Sequence, residues 1–221
     1  MNISLIIPKI MSDQFDLFGG SYDEEPAKKP KLGTKPRIQY FDLETQKSAD
    51  EVGGWGNIHK MGMTVGVVWD SVEQDFFVYE EKDAKTLVEK LRTADLVVGF
   101  NVIGFDYTVL QPYSDFDLQE INTFDMLVDI HKILRFRLSL KHLAQHTLGE
   151  DKADGAESGL YALELYKKGE IGKLIKYCKK DVEITRDLHL YGEEHGHINY
   201  QNRSGNLLQL AVSWKTMNFV S

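Results

Sequence analysis

Residues 38–44, IQYFDLE, form a run of aliphatic and aromatic side chains that ends in two acids. The run reads as a buried strand. Side chains alternate across a strand, so Ile38, Tyr40, Asp42 and Glu44 share one face and Phe41 and Leu43 the other. Residues 61–69 (MGMTVGVVW) and 75–79 (DFFVY) read as two further strands, and the short polar link between them predicts an antiparallel pair. Residues 83–92 carry Ala84, Leu87, Val88 and Leu91 at helical spacing, with Asp83 as the predicted N-cap. A short buried strand at 96–100 precedes a helix within 102–110, and another strand follows at 121–124. The pattern then turns helical, at 125–134, 139–147, 158–168 and 171–191. Residues 198–214 alternate around Arg203-Ser204-Gly205, as a terminal hairpin does. Antiparallel strands followed by strands alternating with helices predict an α/β domain with a mixed sheet.

Composition adjusts this picture only slightly. The chain has 221 residues, 42% of them hydrophobic, enough for one substantial core but not for two large domains. Residues 1–35 read as a flexible tail of glycine, acids, prolines and lysines, and residues 36–221 as the folded domain. Lys28, Lys29 and Lys31 read as a solvated linker rather than a nuclear address, and Met11 is a second candidate start. No apolar run is long enough to span a membrane, and the first eleven residues lack the basic start and small-residue cleavage site of a signal peptide. One cysteine, Cys178, excludes an internal disulfide and fits a reducing cytoplasm. A net charge of −8 argues against a nucleic-acid coat protein, but not against an enzyme that grips nucleic acid locally.

The chemistry lies in three segments. A strand that turns up two carboxylates one step apart faces a desolvation cost, which a bound cation offsets along with their repulsion. The alternative is that the strand ends at Asp42 and its acids are solvated. The second segment is 97–110, VVGFNVIGFDYTVL, where a strand runs out at Gly99 and Asn101 and Asp106 follows. In open α/β sheets such strand ends line the ligand crevice. The third is 174–188, LIKYCKKDVEITRDL. Leu174, Cys178, Val182 and Thr185 form its core stripe, and Tyr177 and Asp181 lie one turn apart, rotated toward the cleft.

Asp42-Leu43-Glu44, residues 101–106 (NVIGFD) and residues 177–181 (YCKKD) together resemble the three exonuclease motifs of the DEDD, or DnaQ-like, superfamily of 3′–5′ exonucleases on a ribonuclease H-like fold. The resemblance covers residues 38–190 and follows the tyrosine subgroup; the position where the histidine subgroup has its His is Lys176. The long glycine-containing loop after Glu44 departs from the pattern. The resemblance implies that Asp42, Glu44, Asp106 and Asp181 hold two Mg²⁺ or Mn²⁺ ions, hard cations that take carboxylate oxygens. Asp42 would bridge both ions, Glu44 and Asp181 would share the ion carrying the nucleophilic water, and Asp106 would act through water on the other. Tyr177 would orient that water, since a phenol positions better than it removes a proton at neutral pH. The implied reaction releases nucleoside 5′-monophosphates from the 3′ end of a nucleic acid, DNA before RNA, in repair or replication. An exoribonuclease is the alternative enzyme, and a silent nucleic-acid or polymerase adaptor on the same fold the alternative of another class.

Around this set, Thr45, Trp55 and Asn101 are candidate substrate contacts; Trp55 would stack a base or anchor its own loop. Arg135, Arg137 and Lys141 would hold phosphates or form a solvated face. His142 and His146 have ligand spacing but read as a helix-surface pair, and Asp125 reads as an N-cap. In the tail, Gln14-Phe15-Asp16-Leu17-Phe18 resembles the bacterial sliding-clamp-binding pentapeptide, with Phe15 in place of the commoner leucine. Gln14, Phe15, Leu17 and Phe18 are its expected anchors on the clamp.

Overall fold

A computed structural model describes residues 35–150 and 159–220; the clamp-like motif at 14–18 lies outside them. Strands β1 (Ile38–Thr45), β2 (Met63–Asp70) and β3 (Asp75–Glu80) pair antiparallel in succession. Strands β4 (Leu96–Gly99) and β5 (Thr123–Asp125) join in parallel on the other side of β1, giving the order β3-β2-β1-β4-β5. Helix α1 (Ala84–Arg92) links β3 to β4, and the short α2 (Asp106–Leu110) precedes β5. Then come α3 (Met126–Leu134), α4 (Leu140–Thr147), α5 (Gly159–Lys167) and α6 (Ile171–His195), and a hairpin of β6 (His197–Gln201) and β7 (Leu207–Ala211). This is the expected α/β fold: a mixed sheet flanked by helices, with a C-terminal hairpin.

The alternation of β1 sorts its side chains into two cores. Ile38 and Tyr40 pack with Leu174, Cys178, Val182 and Leu188 of α6. Phe41 and Leu43 pack on the opposite face with Leu87 and Leu91 of α1 and Tyr107 and Leu110 of α2. Full burial of side chains this size stabilises by about 1.5–3 kcal/mol each, so the two faces fix the register of β1. On β2, Gly66 admits α1 closely; a Cβ there would overlap the Leu87 side chain. The base of the sheet is pinned by Asp70, which is fully buried and pairs with Lys90 at 2.9 Å and Arg37 at 3.2 Å. Burial opposes its charge, but bonds from Lys90, Val72 and Gln39 bring its pKa below the usual value.

Several boundaries differ from the sequence reading for visible reasons. Asp83 makes no capping bond, because a 3-10 turn (Glu81–Asp83) already leads into α1. α2 starts at Asp106 rather than near 102. Asn101 takes a left-handed backbone (φ 69°), and the amides of Asn101 and Ile103 are held by the Asp125 carboxylate at 2.9 and 3.1 Å. The same carboxylate accepts from Leu127 and Val128 as the expected N-cap of α3. α6 runs on to His195, where Gly196 ends it in the left-handed conformation.

Candidate functional site

β4 ends at Gly99, and its pairing with β1 stops at Tyr40 opposite Val98. Asp42 and Glu44 therefore extend β1 past its parallel neighbour, on the face covered by α6. Cys178 on α6 is fully buried against this strand, and its thiol donates to the Asp42 carbonyl at 3.4 Å and the Asp42 carboxylate at 3.6 Å. Asp181 follows three residues later on the same helix and reaches the same point. One carboxylate oxygen from each of Asp42, Glu44 and Asp181 lies within 4.8 Å of the others, forming a ligand cluster among the described residues. Asp106 stands beside it, 3% exposed, with Oδ1 accepting the Leu43 amide at 3.1 Å.

Burial sets the electrostatics of the group. It raises the carboxyl pKa values of Asp42, Glu44 and Asp106 well above the usual range. Repulsion adds to this: Asp106, Asp181 and Glu44 act on Asp42, and Asp181 and Asp106 act on Glu44. Asp181 is pushed up to about 6 by burial, with Tyr177, Lys141 and Lys180 acting the other way. Convergent carboxylates that resist ionisation together are a poor end state for a protein alone and a good one for a hard divalent cation, which prefers oxygen donors. The donor set thus fits a hard divalent cation.

The Tyr177 hydroxyl lies close enough to the Asp181 carboxylate to shift its titration, and burial first, then the charges of Asp181, Glu44 and Asp42, raise the Tyr177 pKa. It is protonated throughout the neutral range. Its ring meets Tyr161 of α5 edge-on at 5.8 Å.

The remaining candidates are spread around this centre. Trp55 opens a 3-10 turn (Trp55–Lys60), is 70% exposed and lies 6.4 Å from the Phe105 ring, next to Asp106. Thr45 is buried, and its hydroxyl donates to the Lys47 carbonyl. The Asn101 side chain accepts from Arg137 at 2.8 Å. The His142 and His146 rings meet at 4.5 Å, and His142 accepts the Gln201 amide, so this pair is engaged on the surface against the terminal hairpin. Sequence reasoning missed the roles of Cys178 beside Asp42 and of Asp125 as the clamp of the 101–103 loop. The apolar stripe of α6 announced only that Cys178 is buried, and a helix-capping acid gives no sign that it also holds a distant loop.

The fold is shared with a much larger enzyme. The family B DNA polymerase from the hyperthermophilic archaeon Pyrobaculum calidifontis superposes with a TM-score of 0.54 at 18% identity, over 72% of this chain and 25% of the polymerase chain. The chain thus spans about a quarter of that polymerase's length. No curated protein matches the chain. The sequence model of the RNase H superfamily matches residues 39–192, from the second residue of β1 into the last turn of α6, and takes in all four acids and Tyr177. The chain belongs to the RNase H superfamily.

Proposed function

We propose that the protein is a metal-dependent 3′–5′ exonuclease of the tyrosine-bearing DEDD type, acting on DNA and releasing nucleoside 5′-monophosphates. The observation that carries this reading is the convergence of Asp42, Glu44 and Asp181 within 4.8 Å at a strand end. Membership of a superfamily of nucleases and the likeness to a DNA polymerase support a nucleic-acid substrate.

In this reading Asp42, Glu44, Asp106 and Asp181 hold two divalent cations, which when bound supply the positive charge that an in-line displacement at phosphorus requires. The chain's own groups prepare that charge's seat and the water. The Cys178 thiol and the Leu43 amide fix the Asp42 and Asp106 carboxylates before any ligand arrives. Tyr177 keeps its proton, because burial and the neighbouring acids raise its pKa, so it serves as a donor that orients the attacking water and takes no proton from it. Residues 1–35 would act as a tether whose clamp-like motif keeps the domain near DNA.

The test uses labelled DNA and RNA oligonucleotides blocked at one end or the other, with Mg²⁺, Mn²⁺ or EDTA. Mononucleotides should appear only with metal and only from a free 3′ end, faster from DNA. Cleavage indifferent to a 3′ block, or undiminished in EDTA, would refute the assignment.

A further inference from the structure

Arg137 lies in the segment between α3 and α4, is exposed, and donates through Nη2 to the Asn101 side chain at 2.8 Å. Among the described residues it pairs with no carboxylate, although the chain carries 34 acids against 26 lysines and arginines. Lys180, next to Asp181 on α6, is by contrast engaged with Glu150 at 2.9 Å. A guanidinium held by one neutral oxygen keeps most of its five donors and all of its charge for an incoming anion.

The partner of that bond is itself fixed. Asn101 lies two residues past the end of β4 in the left-handed conformation, with its amide on Asp125, and its loop ends five residues later at Asp106. Four residues past Arg137, the charge of Lys141 lowers the Asp181 pKa, so it lies within electrostatic range of that acid. One basic segment thus spans from the loop that delivers Asp106 to the helix that delivers Asp181. Arg135, two residues earlier, ends α3 in the left-handed conformation (φ 61°) that glycine normally takes there. A cluster of carboxylates repels a polyanion everywhere except where cations sit, and this rim is where the chain supplies one of its own.

We propose that Arg137, pre-oriented by Asn101, is a seat for a non-reacting backbone phosphate of a polynucleotide, next to the linkage held at the carboxylates. This rests on the nuclease reading and deepens it. The substrate is a chain with at least one phosphate beyond the reacting one, and Arg137 is a positioning residue that acts on binding.

The experiment is metal-free binding of a fluorescent single-stranded DNA oligonucleotide to the full chain in EDTA across a salt series, repeated with Arg137→Gln and Arg137→Lys. Glutamine can still donate to Asn101 but carries no charge, and lysine keeps the charge but loses the planar fork. Arg137→Gln should weaken binding on the order of tenfold, as loss of one charge-assisted contact does. It should also lower the slope of log K against log salt by about 1, with Arg137→Lys in between. A single methylphosphonate walked from the 3′ end should weaken the wild type at one linkage and leave Arg137→Gln indifferent there. Equal affinity and slope in wild type and Arg137→Gln, or no binding by the wild type, overturns the seat. If binding depends on Arg137 but no oligonucleotide is cut with metal, the seat stands and the nuclease reading falls. If the wild type cuts and Arg137→Gln matches it in KM, the reverse holds.

Discussion

The Leu43 amide donates to Asp106 Oδ1 at 3.1 Å, where β1 has outrun β4. The side chain of Asp106 stands in for the strand carbonyl that β4 would have offered had it continued past Gly99. One carboxylate oxygen is therefore committed to holding the backbone of Asp42-Leu43-Glu44, and Asp106 is absent from the tight set formed by the other three acids. Two kinds of acid meet here: three that converge, and one that also braces the strand carrying two of them.

Asp106 should then separate from its neighbours in mutation. Asp106→Asn keeps an acceptor for the Leu43 amide, and Asp106→Ala leaves a buried N–H unpaired, which costs about 1–3 kcal/mol. Both should lose nuclease activity, but the alanine variant should melt below the asparagine variant. Equal melting temperatures would mean that the hydrogen bond contributes nothing.

Asp42→Ala and Asp181→Ala should each abolish activity while the metal-free protein melts at or above the wild-type temperature. Removing one carboxylate relieves the burial and repulsion that raise the pKa values of the rest. Nuclease rate and metal-free melting, measured together, decide this. Near-wild-type activity in either variant would remove both residues from the candidate metal site.

Tyr177→Phe deletes one oriented hydroxyl and no ligand. The rate should fall on the order of 10²-fold, as for loss of one preorganised hydrogen bond, while metal affinity by titration calorimetry stays close to wild type. Turnover at the wild-type rate would make Tyr177 a packing partner of Tyr161 and nothing more.

Much of this site was legible because two periodicities carried it. The two-residue repeat of β1 put Asp42 and Glu44 on one face, and the stripe of Leu174, Cys178, Val182 and Thr185 on α6 oriented Asp181, all four of them buried as that pattern requires. What escaped is made by side-chain hydrogen bonds between segments far apart in the sequence. Arg137 and Asn101 are 36 positions apart, and the turn that delays α2 to Asp106 is enforced by Asp125, 22 residues from Ile103. At least one partner in each bond lies in an irregular segment, so no local pattern signals the bond. The missed cap at Asp83 has a local cause, since residues suited to an N-cap also suit the 3-10 turn that replaced it.

Residues 14–18 lie outside the described structure, and their docking role rests on the sequence alone. Leu17→Ala with Phe18→Ala should abolish binding of the full chain to a bacterial sliding clamp and leave hydrolysis of a short oligonucleotide unchanged. Clamp binding that survives the double substitution, or none by the wild type, ends the idea.

His189 gives the fold a pH dependence separate from the acids. It is fully buried between Tyr40, Phe124 and Trp214, and its Nδ1 bonds the Tyr40 hydroxyl at 2.9 Å. Burial holds its pKa down to about 4, against the opposing pull of Glu193. An unfolded imidazole titrates near 6.5, so between about pH 6.5 and 4 the unfolded chain takes up a proton that the folded chain refuses. Stability from this group is complete above that window and lost as pH falls through it, by on the order of 3 kcal/mol at its foot. The raised carboxyls of the acidic cluster work with the opposite sign, losing stability as pH rises, but they do so equally in any variant that leaves them alone. His189→Gln keeps a polar partner for Tyr40 and removes the titration. Its melting temperature should therefore fall less steeply than that of the wild type between pH 7 and 4.5. Parallel profiles would mean that His189 is already protonated in the folded protein, with its charge carried by Glu193.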